Sequence, residues 1–397
     1  MSLKTRLSRL QSQAGVSPTP IPTQPSESPL LSRLSRLRPE RIRGRAPTPR
    51  TAQMSDERLA DAVKGEVIAE GLIRISATVP LDHSIGNRTL EGLSHSPLLP
   101  GESSPLPAIY IDTETTGLSG GSGTVAFLVG IAQVTGTSLK LTQLLMTRYG
   151  AEATLLSELA SLLPDTHRLV TYNGKSYDLP LLITRFRMQG MRPDFSAREH
   201  LDLLHPVRRL FNKQWPDCRL TTVEQKLLGF SREGDLPGSE APEAWFAYVR
   251  AGFGEQLVRV VAHNRQDILS LAAIHQRLSQ IIMAPGSHDI APYPLGRWWA
   301  DIDEQRAISY LRAHKATLCA DGIRLLANLL RRQGEWAAAA ALWEKLACDG
   351  CIESTERLAK YHEHVTKDIH TALKYCEKLP GTPEDTHRYK RLINKLR

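Results

Sequence analysis

Two carboxylates, Asp112 and Glu114, stand at the end of the apolar run in "IYIDTETTGL". In a strand, side chains at i and i+2 share a face, so the two point the same way. Ionised carboxylates side by side repel unless a cation lies between them, and oxygen ligands suit Mg²⁺ or Mn²⁺. A lone D-x-E pair is a weak signal, and the glycine-crowded stretch behind it, 117–123, offers a rival reading as a phosphate cradle. That rival fails on context. A P-loop needs Lys-Ser/Thr after its last glycine, whereas Gly123 is followed by Thr124 and Val125. A dinucleotide-binding loop opens a helix, whereas this one leads into the β-branched "TVAFLVGIA". A hairpin turn accounts for the glycines, and no nucleotide cofactor is expected.

Further acids raise the odds on metal chemistry. Asp178 lies in "YNGKSYDLP", just after an expected strand and at an expected helix start. Asp267 lies in "HNRQDILSL", with His263 four residues earlier and therefore on the same helix face. Four carboxylates can hold two metals about 3.5–4 Å apart, the arrangement that drives in-line attack on a phosphodiester. A neutral His263 could orient or deprotonate the attacking water, with Asn264 as a second contributor; the plain alternative is a helix-surface histidine. No G-x-S-x-G elbow supports covalent catalysis. The C-x-x-C at Cys348 and Cys351 is followed by His362 and His364 at a spacing that fits no standard zinc finger, so a structural reading is preferred.

The elements that must carry these groups can be placed by pattern. "AIYID", "VAFLVGIAQV", "SLKLTQLLM" and "RLVTYN" read as strands. "EATLLSELASLL", "SYDLPLLITRFRMQG" (closed by Gly190) and the long tract 255–282 read as helices. "EHLDLLHPVRRLF" gives a strand end running into a helix, and "TTVEQKLLG" has Thr221 and Glu224 at capping-box spacing. Three adjacent strands followed by alternating helices and strands predict a mixed-sheet α/β domain flanked by helices over 108–285. Before it, over 54–107, come a helix capped by Ser55, an edge hairpin and a linker. From 300 to 397 the chain reads as helices only, and "DGIRLLANLLRRQGEWAAAAALWEKLACDG" resembles a tetratricopeptide repeat, a module that would recruit a protein partner, with a small helical bundle as the alternative.

The net charge of +8 is unevenly placed: residues 1–50 hold ten Lys/Arg against two Asp/Glu, and the remainder balances to zero. The high pI therefore reports a basic tail. Residues 1–53 are rich in Pro, Ser and Arg and are expected to be disordered, and such tails attract nucleic acid or acidic surfaces. No run approaches ~18 apolar residues, so no membrane span is expected. The start lacks the apolar stretch of a secretory signal, and the five cysteines are scattered, which together favour a cytoplasmic protein.

"YIDTETTGL", "YNGKSYD" and "HNRQD", in this order, resemble the three exonuclease motifs of the DEDD superfamily, whose fold is ribonuclease-H-like. The resemblance covers residues 108–280 well. The full run is similar to a group of bacterial ribonuclease-H-like proteins with a repeat-rich tail. It implies Asp112, Glu114, Asp178 and Asp267 as ligands of two divalent cations, with His263 at the water-activating position. One exonuclease branch has histidine five residues before the last aspartate and another has tyrosine four before it; this chain has histidine at the tyrosine spacing. The resemblance also implies contacts to a 3′-terminal nucleotide from Thr115, Gly117 and Leu118, where glycine allows close approach. Asn173 and Tyr177 would either line the same cleft or cap the helix of Asp178. Arg208 and Arg209 are either phosphate contacts or part of a solvated helix face, and Asp202 either supports the site or caps a strand end. The implied activity is 3′–5′ exonucleolytic hydrolysis of single-stranded DNA or RNA. The rivals are an adaptor that keeps the fold without the chemistry, and a structure-specific endonuclease.

Overall fold

The computed structural model describes residues 53–93, 107–117, 123–192, 195, 198–284 and 290–397. The expected basic tail, most of the linker before 107, and Leu118 lie outside them.

The chain enters through α1 (Asp56–Val63), with Ser55 as its N-cap accepting from the Arg58 amide. The hairpin β1 (Gly65–Ala69) and β2 (Leu72–Pro80) follows, then a short pair β3 (Ser84–Ile85) and β4 (Arg88–Thr89). The central strands are β5 (Ala108–Thr115), β6 (Ala126–Thr135) and β7 (Ser138–Met146). After α2 (Glu152–Ser161) come β8 (Arg168–Thr171), α3 (Asp178–Met188), β9 (His200–Asp202) and α4 (Leu204–Phe211). A short α5 (Leu220–Val223) runs on into a wider turn at Glu224–Leu228, and α6 (Ala241–Ala251) leads to the 29-residue α7 (Glu255–Met283).

The sheet has seven strands in the order β1-β2-β7-β6-β5-β8-β9. The β5–β6 and β6–β7 pairs are antiparallel, while β5–β8 and β8–β9 are parallel. The hairpin expected over 65–81 is the edge of this same sheet, because β2 pairs with β7 from Leu72↔Met146 to Pro80↔Ser138. Strand period sorts β5 between two apolar layers. Ile109 and Ile111 pack with Leu155, Leu182 and Phe186 of α2 and α3, whereas Tyr110 packs with Ile268 and Leu271 of α7. Asp112 and Glu114 continue the Tyr110 face.

The helical region begins slightly earlier than expected, with α8 (Pro292–Ala300), and continues through α9 (Glu304–Ala313), α10 (Ala320–Arg332), α11 (Trp336–Cys348), α12 (Ile352–Tyr361), α13 (Ile369–Cys376) and α14 (Pro383–Leu396). Gly334, at φ +82°, makes the turn between α10 and α11 that an L side chain would strain. Leu295 and Trp298 of α8 share one continuous core with Leu210 and Phe211 of α4 and Ile281 of α7. No described helix is long and apolar enough to cross a membrane.

One local expectation fails. Thr221 and Glu224 form no capping box. Asp217 caps this turn instead, accepting from the Arg219 amide at 3.0 Å and from Thr222 Oγ1 at 2.6 Å, while Glu224 is buried to 1% exposure with other partners. A capping box needs its acid free to fold back on the N-cap amide.

Candidate active site

Asp112 is placed by the approach of α7 to the sheet. Its cross-strand partner is Gly130. A Cβ on Gly130 would come within 2.1 Å of Ile268 Cδ1 and 2.3 Å of Asn264 Oδ1, so glycine here lets α7 lie against the strand. Asn264, fully buried, donates from Nδ2 to Asp112 Oδ2 at 2.7 Å. Its Oδ1 accepts from Gln143 Nε2 at 2.8 Å, and the same Gln143 amide donates to the Val261 carbonyl at 2.9 Å. This amide ladder ties α7 to β5 and β7 through buried hydrogen bonds. Asn264 therefore braces Asp112.

Asp178 opens α3, where a carboxylate meets the positive end of the helix dipole. Thr113, on the α3 face of β5, donates its hydroxyl to Asp178 Oδ1. The connection from β8 to α3 is held by Asp202, which accepts from the amides of Asn173 at 2.7 Å, Lys175 at 3.0 Å and Leu204 at 3.1 Å. Asp202 is thus a turn cap that sets the start of α3. Asn173 sits at φ +64°, a left-handed conformation that asparagine tolerates.

His263 and Asp267 lie one turn apart on α7. His263 Nε2 is 3.5 Å from Asp267 Oδ2 and 4.0 Å from Glu114 Oε1. Glu114, His263 and Asp267 offer ligand atoms that all lie within 4.8 Å of one another, and no cysteine joins them. The structure also adds residues that the sequence did not single out. Arg232, with 7% of its side chain exposed, reaches into the site from the loop before α6. It pairs with Asp267, with both oxygens of Glu224 (2.9 and 2.6 Å), and with Asp235 Oδ2 at 3.0 Å. Asp235 Oδ2 in turn lies 2.7 Å from His263 Nδ1.

Burial drives the electrostatics. It pushes Asp112 and Glu114 well above the usual carboxylate range, with repulsion from Asp267 and Asp178 adding to it. Burial likewise lifts Asp178 to about 6 against the opposing hydrogen bond from Thr113. Asp267 is raised by burial even though Arg232 and His263 oppose the shift. Asp235 is pushed up by burial too, but the bonds from Arg232 and His263 outweigh it and hold its carboxyl below the usual range. A buried, mutually repelling set of hard oxygen donors with one imidazole at its edge is chemically suited to a hard divalent cation.

A pH dependence follows. The folded-state pKa values are raised, so the fold keeps protons that the unfolded chain releases near 4. That contribution is complete below about 4 and is lost as pH rises through the value of about 6 at Asp178. Chemical denaturation in EDTA should show stability falling between pH 4.5 and 7.5, and Mg²⁺ should recover it at pH 7.5 by binding the folded state. A metal-free protein that grows more stable over that interval would refute this electrostatic account.

A cleft of about 450 Å³ opens beside these acids. Thr115, Gly117, Asn173 and Tyr177 line it together with Asp112 and Asp178. Thr115 Oγ1 donates to the Gly117 carbonyl at 2.9 Å, and Tyr177 is 57% exposed at the cleft. Arg208 is exposed on α4. Arg209, expected as a phosphate contact, is taken up elsewhere: its guanidinium lies 4.7 Å from the Trp298 ring centre and bonds Asp301 and the Arg297 carbonyl. Cation–π contact and the pairing with Asp301 tie α4 to α8. The C-x-x-C cysteines are free, and Cys351 accepts from Ser354 Oγ at 3.3 Å.

The arrangement has relatives. Residues 109–279 match the RNase_H superfamily. The chain is 36% identical over 281 residues to the uncharacterized protein YprB of Bacillus subtilis (strain 168), covering 68% of each chain. It is 28% identical over 123 residues to a DNA polymerase of Pyrococcus glycovorans, covering 26% of this chain and 15% of the polymerase. Among solved structures it is similar to an exonuclease I, described as suggesting how processivity is achieved, at 14% identity and a TM-score of 0.28 over 52% of this chain and 43% of the other. The chain therefore belongs to the same family as YprB, and its residues 109–279 form an RNase_H-superfamily domain.

Proposed function

We propose that this protein is a metal-dependent 3′–5′ exonuclease of the DEDD type, acting on single-stranded nucleic acid or 3′ ends. The observation that carries the reading is the convergence of Asp112, Glu114, Asp178 and Asp267, from a strand and two helices, beside an open cleft with His263 at its edge. Asp112, Glu114, Asp178 and Asp267 would hold two divalent cations, which supply the charge that activates a water and stabilises the leaving oxygen. His263 Nε2 receives the proton of the attacking water. The main chain at Thr115 and Gly117 approaches the terminal nucleotide closely, and the exposed Tyr177 ring offers a stacking surface for a base. Arg208 contributes a phosphate contact, and the basic segment 1–50 adds sequence-independent affinity. The helices from α8 onward act as a TPR-like platform for a protein partner.

The test uses single-stranded DNA and RNA oligonucleotides labelled at the 3′ or 5′ end, with Mg²⁺ or Mn²⁺ and with EDTA. The 3′ label should leave first as a mononucleotide, only with metal, and not with Asp178→Ala. Equal release by wild type and Asp178→Ala, or release in EDTA, would remove the proposal. Internal cuts before any loss of the 3′ label would replace it by an endonuclease.

A further inference from the structure

We propose that Asp235, held by Arg232, is the positioning residue of His263: it fixes the ring with Nδ1–H turned outward and Nε2 turned toward Glu114 and Asp267. The catalytic consequence rests on the nuclease reading above; the tautomer does not. Asp235 Oδ2 lies 2.7 Å from His263 Nδ1. An unprotonated Nδ1 at that distance would set two lone pairs face to face, so Nδ1 carries the proton and donates it. In the neutral ring this leaves Nε2 as the acceptor, the nitrogen that lies 3.5 Å from Asp267 and 4.0 Å from Glu114. Arg232 Nη1 also approaches Nδ1, at 3.3 Å, and alone would favour the other tautomer. The Asp235 contact is shorter and brings a full opposite charge, so it decides.

Asp235 is itself held. Its Oδ1 accepts from the Leu236 amide at 2.9 Å, and its Oδ2 receives Arg232 Nη1 at 3.0 Å. Arg232 is fixed in turn by its two-pronged pair with Glu224, and Glu224 also accepts from Ser270 on α7. Gly238 lies against the ring, where a Cβ would stand 3.6 Å from Nε2. The loop therefore reaches the histidine from outside, while the acids meet it from inside. This geometry depends on the spacing of four residues between His263 and Asp267, which puts both on one face of α7.

Asp235→Asn keeps the shape but offers an amide that can donate to Nδ1. Long-range ¹H–¹⁵N spectra of metal-free, ¹⁵N-histidine-labelled protein, above the imidazole titration and assigned with His263→Gln, should show a protonated Nδ1 and a bare Nε2. In Asp235→Asn the proton should move to Nε2. In the same variant kcat should fall about 10- to 100-fold, with KM and metal affinity within about twofold of wild type. Asp235→Glu should restore both readouts in part, and melting curves check that each variant folds. A wild-type His263 already protonated at Nε2, or an Asp235→Asn protein with wild-type tautomer or wild-type kcat, would overturn the proposal. If no variant, wild type included, hydrolyses nucleic acid, the nuclease reading falls and the tautomer measurement alone decides the role of Asp235.

Discussion

Asp112→Asn is expected to lower metal-dependent hydrolysis by roughly 10³-fold or more and, in the same sample, to raise the melting temperature of the metal-free protein. The first effect follows from taking one carboxylate out of the proposed metal site, whose cations would supply several kcal/mol of transition-state stabilisation, at about 1.36 kcal/mol per tenfold in rate. The second follows from the environment. Burial, then repulsion from Asp267, Asp178 and Glu114, raises the Asp112 pKa, so its ionised form opposes folding at neutral pH. Asparagine keeps an oxygen to accept from Asn264 Nδ2, so the brace from α7 survives the exchange. Activity and melting temperature measured together in Mg²⁺ and in EDTA separate the outcomes. Retained hydrolysis would remove Asp112 from the metal site; a lower melting temperature in EDTA would mean that the carboxylate is not strained.

The legible part of this site is what local periodicity encodes. Strand period puts Asp112 and Glu114 on one face with Tyr110, and helix period puts His263 beneath Asp267. Both follow from sequence spacing alone. The sheet was legible for the same reason, since the apolar runs that became β5, β6 and β7 alternate or run continuously as buried strands do. What stayed hidden depends on contacts between distant segments. Arg232 and Asp235 lie in "FSREGDLPG", a charged stretch that reads as a surface loop, and only the fold brings it against α7. Glu224 looked like a capping acid because the capping pattern covers four residues, whereas its partners Arg232 and Ser270 lie 8 and 46 residues away. Arg208 and Arg209 were indistinguishable as neighbours in sequence; Asp301, 92 residues on, separates them.

Arg232→Met should be the most destabilising single change at this site. The substitution keeps much of the side-chain volume and removes the guanidinium shared by Glu224, Asp235 and Asp267. Glu224 is 1% exposed and Asp267 9%, so neither can turn to water for compensation. Breaking a buried ion pair from one side costs about 3–5 kcal/mol, since it leaves uncompensated buried charge. At about 2–4 °C per kcal/mol the melting temperature should drop by roughly 6–20 °C at pH 8. The deficit should shrink toward pH 5. Without Arg232 the pKa values of Glu224 and Asp267 rise further in the folded state, so the fold binds protons the unfolded chain has lost, and stability is regained as pH falls through those values. Glu224→Gln added to Arg232→Met should recover part of the loss, a coupling that distant sites would not show. A deficit under about 1 kcal/mol, or one independent of pH, would show that the guanidinium is not what makes these charges tolerable. The expected result assigns Arg232 the task of offsetting the buried charge of Glu224 and, through Oδ1, of Asp267 within the fold, while Asp112 and Asp178 line the open cleft, where mobile cations can reach them.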